Sequence, residues 1–245
     1  MSQQMIDQMK ELRLSFMVQA LELQQKDPVY AAMGFEERLL HLVQAEIDGR
    51  RNKKRMRLHR EAKLPDVDAS LESILYYPDR ELNREQLMNL SSCKWIESGQ
   101  NVLITGASGA GKSWIAAALG NAACDHFYTC AYIRMPEMLD LLSGTRDELW
   151  EKTKKRLIKV ELLIIDDVLL EPISTAQSRE LLEIVESRYR SLSTVICSQL
   201  SPGGWHKAIK PAPIADAILD RLVFGSHTIH IKGEMSMRKR ITLGL

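Results

Sequence analysis

Apolar side chains in the first sixty residues recur at helical intervals. Leu14, Met17, Val18 and Leu21 fall three or four apart, the spacing of one helix face. Asp27-Pro28 interrupts the pattern, because a residue before proline is pushed out of the α region. A second helix is predicted from near Phe35, carrying Leu39, Leu42, Val43 and Ile47 at spacings of three and four and stopping before Pro65. Residues 64–95 hold Pro65, Pro78 and scattered acids and read as a connector, followed by a helix through Leu82, Leu87 and Leu90. From Gln100 onward the period changes. Short β-type runs (Val102 to Thr105, Thr129 to Ile133, Leu162 to Ile165, Thr194 to Cys197) alternate with helical stretches. Strands that are apolar almost throughout, separated by helices, predict a parallel sheet sandwiched by helices. The expected organisation is a small all-helical N-terminal domain over residues 1–64 and an α/β domain over residues 65–245.

Composition changes this picture little. With 45% hydrophobic and 27% charged residues, the 245-residue chain can bury a sizeable core. No apolar stretch is long enough to span a bilayer and the N-terminus lacks an apolar signal core, so the expectation is a cytoplasmic protein with no membrane contact. Cys93, Cys124, Cys130 and Cys197 form no metal-like spacing; Cys124 and Cys197 sit in apolar runs and read as buried free thiols.

Charge matters through its distribution. The net charge is only +1, yet Arg50, Arg51, Lys53, Lys54, Arg55, Arg57, Arg60 and Lys63 lie within one short segment against the single acid Glu61. On a helix Arg50, Lys54 and Arg57 share a face, with Arg51 and Arg55 beside it. Such a run can neutralise duplex phosphates without reading sequence, giving salt-sensitive affinity. The competing reading is a solvated helix surface or an anchor for an acidic partner. Neither a zinc finger nor a helix-turn-helix is evident, so base-specific recognition is not supported.

The chemistry concentrates in Gly106 to Ser113, GASGAGKS, which meets G-x-x-x-x-G-K-[ST] at every fixed position. Gly106, Ala107, Ser108, Gly109, Ala110 and Gly111 let successive N–H groups turn inward on phosphates, and the helix beginning near Lys112 adds its positive end. Lys112 is expected to reach the β and γ phosphates of ATP, the Ser113 hydroxyl to ligate Mg2+, and Trp114 to follow in the cofactor site. The context is right: the strand Asn101-Val-Leu-Ile-Thr105 precedes the loop and a helix, Trp114 to Cys124, follows.

Leu162-Leu-Ile-Ile-Asp-Asp167 is an apolar strand ending in two carboxylates. Asp166 suits magnesium held through its water shell, and Asp167 suits orientation or deprotonation of an attacking water. The strand Thr194 to Cys197, expected between the P-loop and the acids, runs into Ser198-Gln199; Gln199 is favoured over Ser198 as a γ-phosphate sensor. Ala215-Asp-Ala-Ile-Leu-Asp-Arg-Leu222 reads as a short amphipathic helix ending with Arg221, and Met237-Arg-Lys-Arg240 follows near the end of the sequence.

Taken together, these segments resemble the IstB-type transposition helper ATPases of bacterial insertion sequences, relatives of the DnaC/DnaI helicase loaders within the AAA+ class. The resemblance covers nearly the whole chain. It includes Asp27-Pro-Val-Tyr30 and Gly34-Phe-Glu-Glu-Arg38 with the basic run, Trp95-Ile96, the P-loop, the paired acids, Ser198-Gln199, Trp205, the Ala215–Leu222 segment, and the tail Lys232-Gly-Glu-Met-Ser-Met-Arg238. It implies an AAA+ P-loop NTPase core, with Arg221 as an arginine finger reaching the nucleotide of a neighbouring subunit and Arg238 as a sensor arginine within its own. Met235 is one residue more than that tail pattern carries.

What the resemblance implies is a Mg2+-dependent ATPase that forms a homo-oligomer on double-stranded DNA, prepares the target and recruits or activates the transposase of the same element. The alternatives are a DnaC/DnaI-like replicative helicase loader preferring single strands, a small-molecule kinase, and a nonhydrolysing DNA-binding scaffold.

Overall fold

The computed structural model describes residues 3–144, 146–233 and 235–244, and of Ile241 the backbone only. It separates into two compact units, Met1–Arg57 and Leu58–Leu245.

In the first unit α1 (Gln3–Glu11) and α2 (Ser15–Lys26) lead to the long helix α3 (Phe35–Ala62). Helix α2 ends where Asp27-Pro28 required, and the Asp27 carboxylate accepts the Val29 N–H (3.0 Å) to open a 3-10 turn over Pro28–Ala32. A further break, between α1 and α2, was not visible in the apolar spacing. The unit is tied by polar contacts. Glu46 accepts the Met17 N–H (2.9 Å) and Arg50 Nε (2.7 Å), while Arg50 Nη2 donates to the Arg13 carbonyl (2.9 Å). At Gly49 the helices meet so closely that a Cβ would lie 2.2 Å from the Phe16 ring.

The apolar interior of this unit is thin. Val18 and Leu42 are its buried hydrophobic residues among those described. Of the predicted stripe on α3, only Leu42 is buried; Leu39, Val43 and Ile47 each remain 40% exposed and Phe35 79%. Helical spacing identifies a face but not what covers it.

The second unit begins with the end of α3, a connector and α4 (Arg84–Ser91), whose N-cap Asn83 accepts the Gln86 N–H. Leu82, expected inside this helix, precedes it. After α5 (Lys94–Glu97) come β1 (Val102–Gly106), α6 (Lys112–Asp125), β2 (Cys130–Arg134), α7 (Met135–Ser143) and α8 (Glu148–Lys159). Then follow β3 (Leu162–Val168), α9 (Thr175–Arg188), β4 (Ser193–Ser198), α10 (Pro202–Ala208), α11 (Ala212–Val223), β5 (His227–Ile231) and α12 (Met237–Leu243). The sheet runs β2-β3-β4-β1-β5 and all its pairs are parallel, with β4 between the P-loop strand and the acidic strand as expected. The fifth strand escaped the sequence reading: its alternation, His227-Thr-Ile-His-Ile231, is half polar because it lies at the sheet edge.

Two cores follow from the alternation of side chains across the sheet. Val102, Ile104, Leu162, Ile164, Val195 and Cys197 face one layer with α4 and α6. Leu103, Leu163, Ile165 and Ile196 face the other, against α7 to α11. Burial on both faces explains the unbroken apolar runs and directs polar chemistry to the carboxyl ends of the strands. All four cysteines are free and buried. Among the described residues, no helix is long and apolar enough to cross a membrane.

Candidate functional site

At the carboxyl ends of β1, β3 and β4 lies a cleft of about 600 Å³. Its walls bring together Ser108, Gly109, Gly111, Lys112, Ser113 and Trp114 of the P-loop with Asp166, Asp167, Gln199 and Arg238. Residues from four parts of the sequence thus converge on one depression, the position where parallel sheets bind phosphorylated ligands.

The loop between β1 and α6 is shaped by its glycines. Gly109 has φ +76° and Gly111 φ +94°, and a Cβ at Gly111 would lie 2.9 Å from Arg80 Nη2. Lys112 is buried, with Nζ donating to the carbonyls of Gly106 (2.9 Å) and Ala107 (2.8 Å). Burial pulls this ammonium below its ordinary value, against the opposing pull of Cys197, Asp166 and Asp167. Ala107 and Ala110 contribute carbonyls to the loop rather than cleft wall, the Ala110 oxygen accepting from Arg80 Nη2 (2.9 Å).

The acidic strand carries a local irregularity. Ile165 pairs with Ile196 and Val168 with Ser198, so β3 holds one residue more than β4 across this step. Such a bulge re-aims side chains, and Asp167 adopts φ +54° within it. Asp166 is buried; Oδ2 accepts the Tyr132 hydroxyl (2.7 Å) and Oδ1 the Asp167 N–H (2.8 Å). Burial and this bond to Asp166 push the Tyr132 phenol up, so it remains a donor across the physiological range. Asp167 Oδ2 accepts both Nε (2.8 Å) and Nη2 (2.7 Å) of Arg134, which tethers the carboxylate at the cleft wall.

Gln199 is exposed and lines the cleft. Ser198, its rival, is fully buried; its Oγ donates to the Val168 carbonyl (2.8 Å) and accepts from Leu200 N–H (3.1 Å) and Trp205 Nε1 (3.3 Å). That hydroxyl belongs to the architecture. The tail returns to the P-loop, where Met237 N–H donates to the Gly109 carbonyl (2.9 Å), and Arg238 borders the cleft with Met235 accommodated before it. Glu234, part of the tail motif, lies outside the described residues.

Arg221 stands elsewhere. It is held on α11 by Glu186 Oε1 (2.8 Å) and the Ala217 carbonyl (3.0 Å), over the Tyr189 ring, and does not line the cleft. Of the basic run, Arg50 is engaged by Glu46 and the Arg13 carbonyl, while Arg51, Lys53, Lys54, Arg55 and Arg57 have exposed side chains in the first unit and Arg60 one in the second.

Tyr132, Arg134 and Arg80 also line the cleft and were not singled out by sequence. Tyr132 and Arg134 stand two apart on β2, hence on one face, and Arg134 pairs in register with Asp166. The polar end of an apolar strand was the available signal. Arg80, 5% exposed, is anchored by the Leu75 (2.5 Å) and Ala110 carbonyls and had no signal beyond its charge.

The cleft suits a nucleoside triphosphate with magnesium. The loop offers backbone N–H groups and a buried cation to phosphates. Ser113 and Asp166 supply only two oxygen-bearing groups, as fits an ion completed by phosphate oxygens and water. Among the described residues no group of three or more His, Cys, Asp or Glu could hold a metal by itself.

Comparison with known proteins agrees. A family described as IstB-like ATP binding protein matches residues 7–243. The insertion sequence ATP-binding protein y4uH of Sinorhizobium fredii is 42% identical over 192 residues, 78% of this chain and 77% of that protein. The IS1162 ATP-binding protein of Pseudomonas fluorescens is 37% identical over 201 residues, 82% of this chain and 87% of that one. A crystal structure of DnaI superposes with a TM-score of 0.59 at 20% identity, covering 68% of this chain and 92% of that one. The fold is therefore the AAA+ P-loop core expected from sequence, with a helical N-terminal region. On its length and its motifs alike, the chain belongs to the IstB-like ATP-binding proteins of insertion sequences.

Proposed function

We propose that the protein is a Mg2+-dependent ATPase that assembles on double-stranded DNA, prepares it as a target and recruits or activates the transposase of its element. The observation that carries this reading is the division of the hydrolytic groups. One cleft gathers Lys112, Ser113, Asp166, Asp167, Gln199 and Arg238, while Arg221 lies outside it. A second copy supplying Arg221 would complete the site, so hydrolysis would depend on assembly.

ATP with magnesium supplies the transferable phosphoryl group when bound. Lys112 and the loop N–H groups hold its charge, Ser113 and Asp166 hold the ion, and Asp167 orients the attacking water while Arg134 fixes the carboxylate. Gln199 and Arg238 report the state of the terminal phosphate. Asp167→Asn is expected to lower turnover by roughly a hundredfold while nucleotide affinity stays within about threefold. Equal losses in both would assign Asp167 to binding instead.

The basic run on α3 is proposed to contact duplex phosphates, with residues 1–64 acting as the DNA and oligomer module. The relatives' names place them in insertion sequences, which supports a transposition role over helicase loading. Sizing the protein with ATP on duplex and on single-stranded DNA tests this. Large complexes preferring duplex are expected; preference for single strands would favour a loader. Arg221→Ala should bind ATP yet hydrolyse it slowly, and adding Lys112→Ala subunits should restore part of the rate by supplying fingers. A mixture no faster than the sum of its parts would refute a finger acting in trans.

A further inference from the structure

A second cationic surface lies within the ATPase unit itself. On α8, Lys152, Lys155, Arg156 and Lys159 fall at positions i, i+3, i+4 and i+7, one continuous helix face. The three lysines are exposed, and among the described residues none of them has an ion-pair partner. Lys154, between them in sequence, points the other way and is buried against Glu180 (2.9 Å) and Glu183 (2.7 Å). The helix therefore separates its cations into one structural lysine and an unpaired stripe.

This stripe borders a groove. Arg156 Nη2 donates to the Glu61 carbonyl, which fastens α8 to the end of α3 within the same unit. The groove between them, about 470 Å³, is lined by Arg60, Glu61, Lys63, Arg156, Thr129 and Val160, among others. Of the acids beside it, Glu161 is occupied by the Thr129 N–H (2.7 Å) and hydroxyl (2.8 Å). Glu151 sits in the first turn of α8, a turn before the groove.

We propose that Arg60, Lys63, Lys152, Lys155, Arg156 and Lys159 form a phosphate-tracking strip that holds the DNA backbone directly against the ATPase unit. The inference rests on the reading of this protein as DNA-bound, but involves a surface distinct from the arginines and lysines of residues 50–57. Nucleic acid fits better than an acidic protein surface because the six cations recur along one helix face and its groove, outnumber the acids Glu61, Glu148 and Glu151 beside them, and lack an exposed aromatic anchor. Contacts of this kind carry no sequence information and release counterions on binding.

The test is the salt dependence of duplex affinity, with a nonhydrolysable ATP analogue present. Glutamine keeps helix propensity, so the triple variant Lys152→Gln, Lys155→Gln, Lys159→Gln should stay folded, and its thermal melting verifies this. A control triple, Lys94→Gln, Lys207→Gln, Lys210→Gln, changes net charge equally at exposed positions elsewhere in the same unit. The strip variant should flatten the slope of log affinity against log salt by about 2.7, some 0.9 per contact, and the control by far less. An Arg60→Gln, Lys63→Gln pair should flatten it by about 1.8. A strip variant with the wild-type slope, when the wild type binds duplex, overturns the strip alone. The same slope accompanied by lost self-assembly would make the surface a protein interface and equally overturn the proposal. A wild type that binds no duplex overturns the DNA reading and the strip together.

Discussion

Lys112→Ala is expected to lower ATP turnover by roughly a thousandfold and to weaken nucleotide binding with it. The size of the effect follows from where the ammonium sits. It is 7% exposed and held by two loop carbonyls, so its charge acts on phosphates through little intervening water. Burial lowers its proton affinity, but its neighbours Asp166 and Asp167 favour the cation. Steady-state hydrolysis and the affinity of a fluorescent nucleotide measure the two effects separately. The substitution also leaves the Gly106 and Ala107 carbonyls without their donor, so melting of the variant must accompany the kinetics. A folded variant retaining turnover within about threefold would remove the P-loop from the chemistry.

The second large effect concerns stability. Arg188, at the end of α9, is 2% exposed. Its guanidinium donates to the carbonyls of Leu157 (2.8 Å), Ile158 (3.4 Å) and Val160 (2.8 Å), to that of Ser193 (2.6 Å), and to Thr194 Oγ1 (3.1 Å). The first three belong to the last turn of α8 and the residue after it, where helices leave acceptors unmatched. The other two open β4. One side chain thus caps a helix and fastens it to the sheet, and a cation at a helix C-terminus is favourable in its own right. Arg188→Ala should cost about 3–5 kcal/mol, because buried acceptors lose their donor and a cavity remains. For a unit of this size each kcal/mol lowers the melting temperature by about 2–4 °C. Denaturant unfolding showing a loss under about 1 kcal/mol would mean that water replaces the guanidinium.

What the sequence revealed and what it hid divide by distance along the chain. The P-loop is contiguous, so GASGAGKS and the strand before it were legible, and the fold class followed from the apolar runs around them. Asp166 and Asp167 were readable because they end a strand whose role the P-loop defines. Arg134 was not, since it meets Asp167 only through the pairing of β2 with β3. Arg188 was equally hidden, its acceptors being supplied by two separate segments. The choice between Ser198 and Gln199 needed Trp205, which commits the serine hydroxyl to the interior. On α3 the periodicity of Leu39, Leu42, Val43 and Ile47 announced the helix but not its surroundings, and of the four only Leu42 is buried.

The thin interior of residues 1–57 has a thermodynamic consequence. Among its described residues, two buried hydrophobic side chains offset little of the backbone entropy lost on ordering its helices. Opening of this segment should therefore cost far less free energy than unfolding the ATPase unit. Its amides would exchange with deuterium early, long before those of β1 and β3. Any ligand that orders the segment must first offset that loss, which lowers its affinity, and once bound it stabilises the segment by mass action.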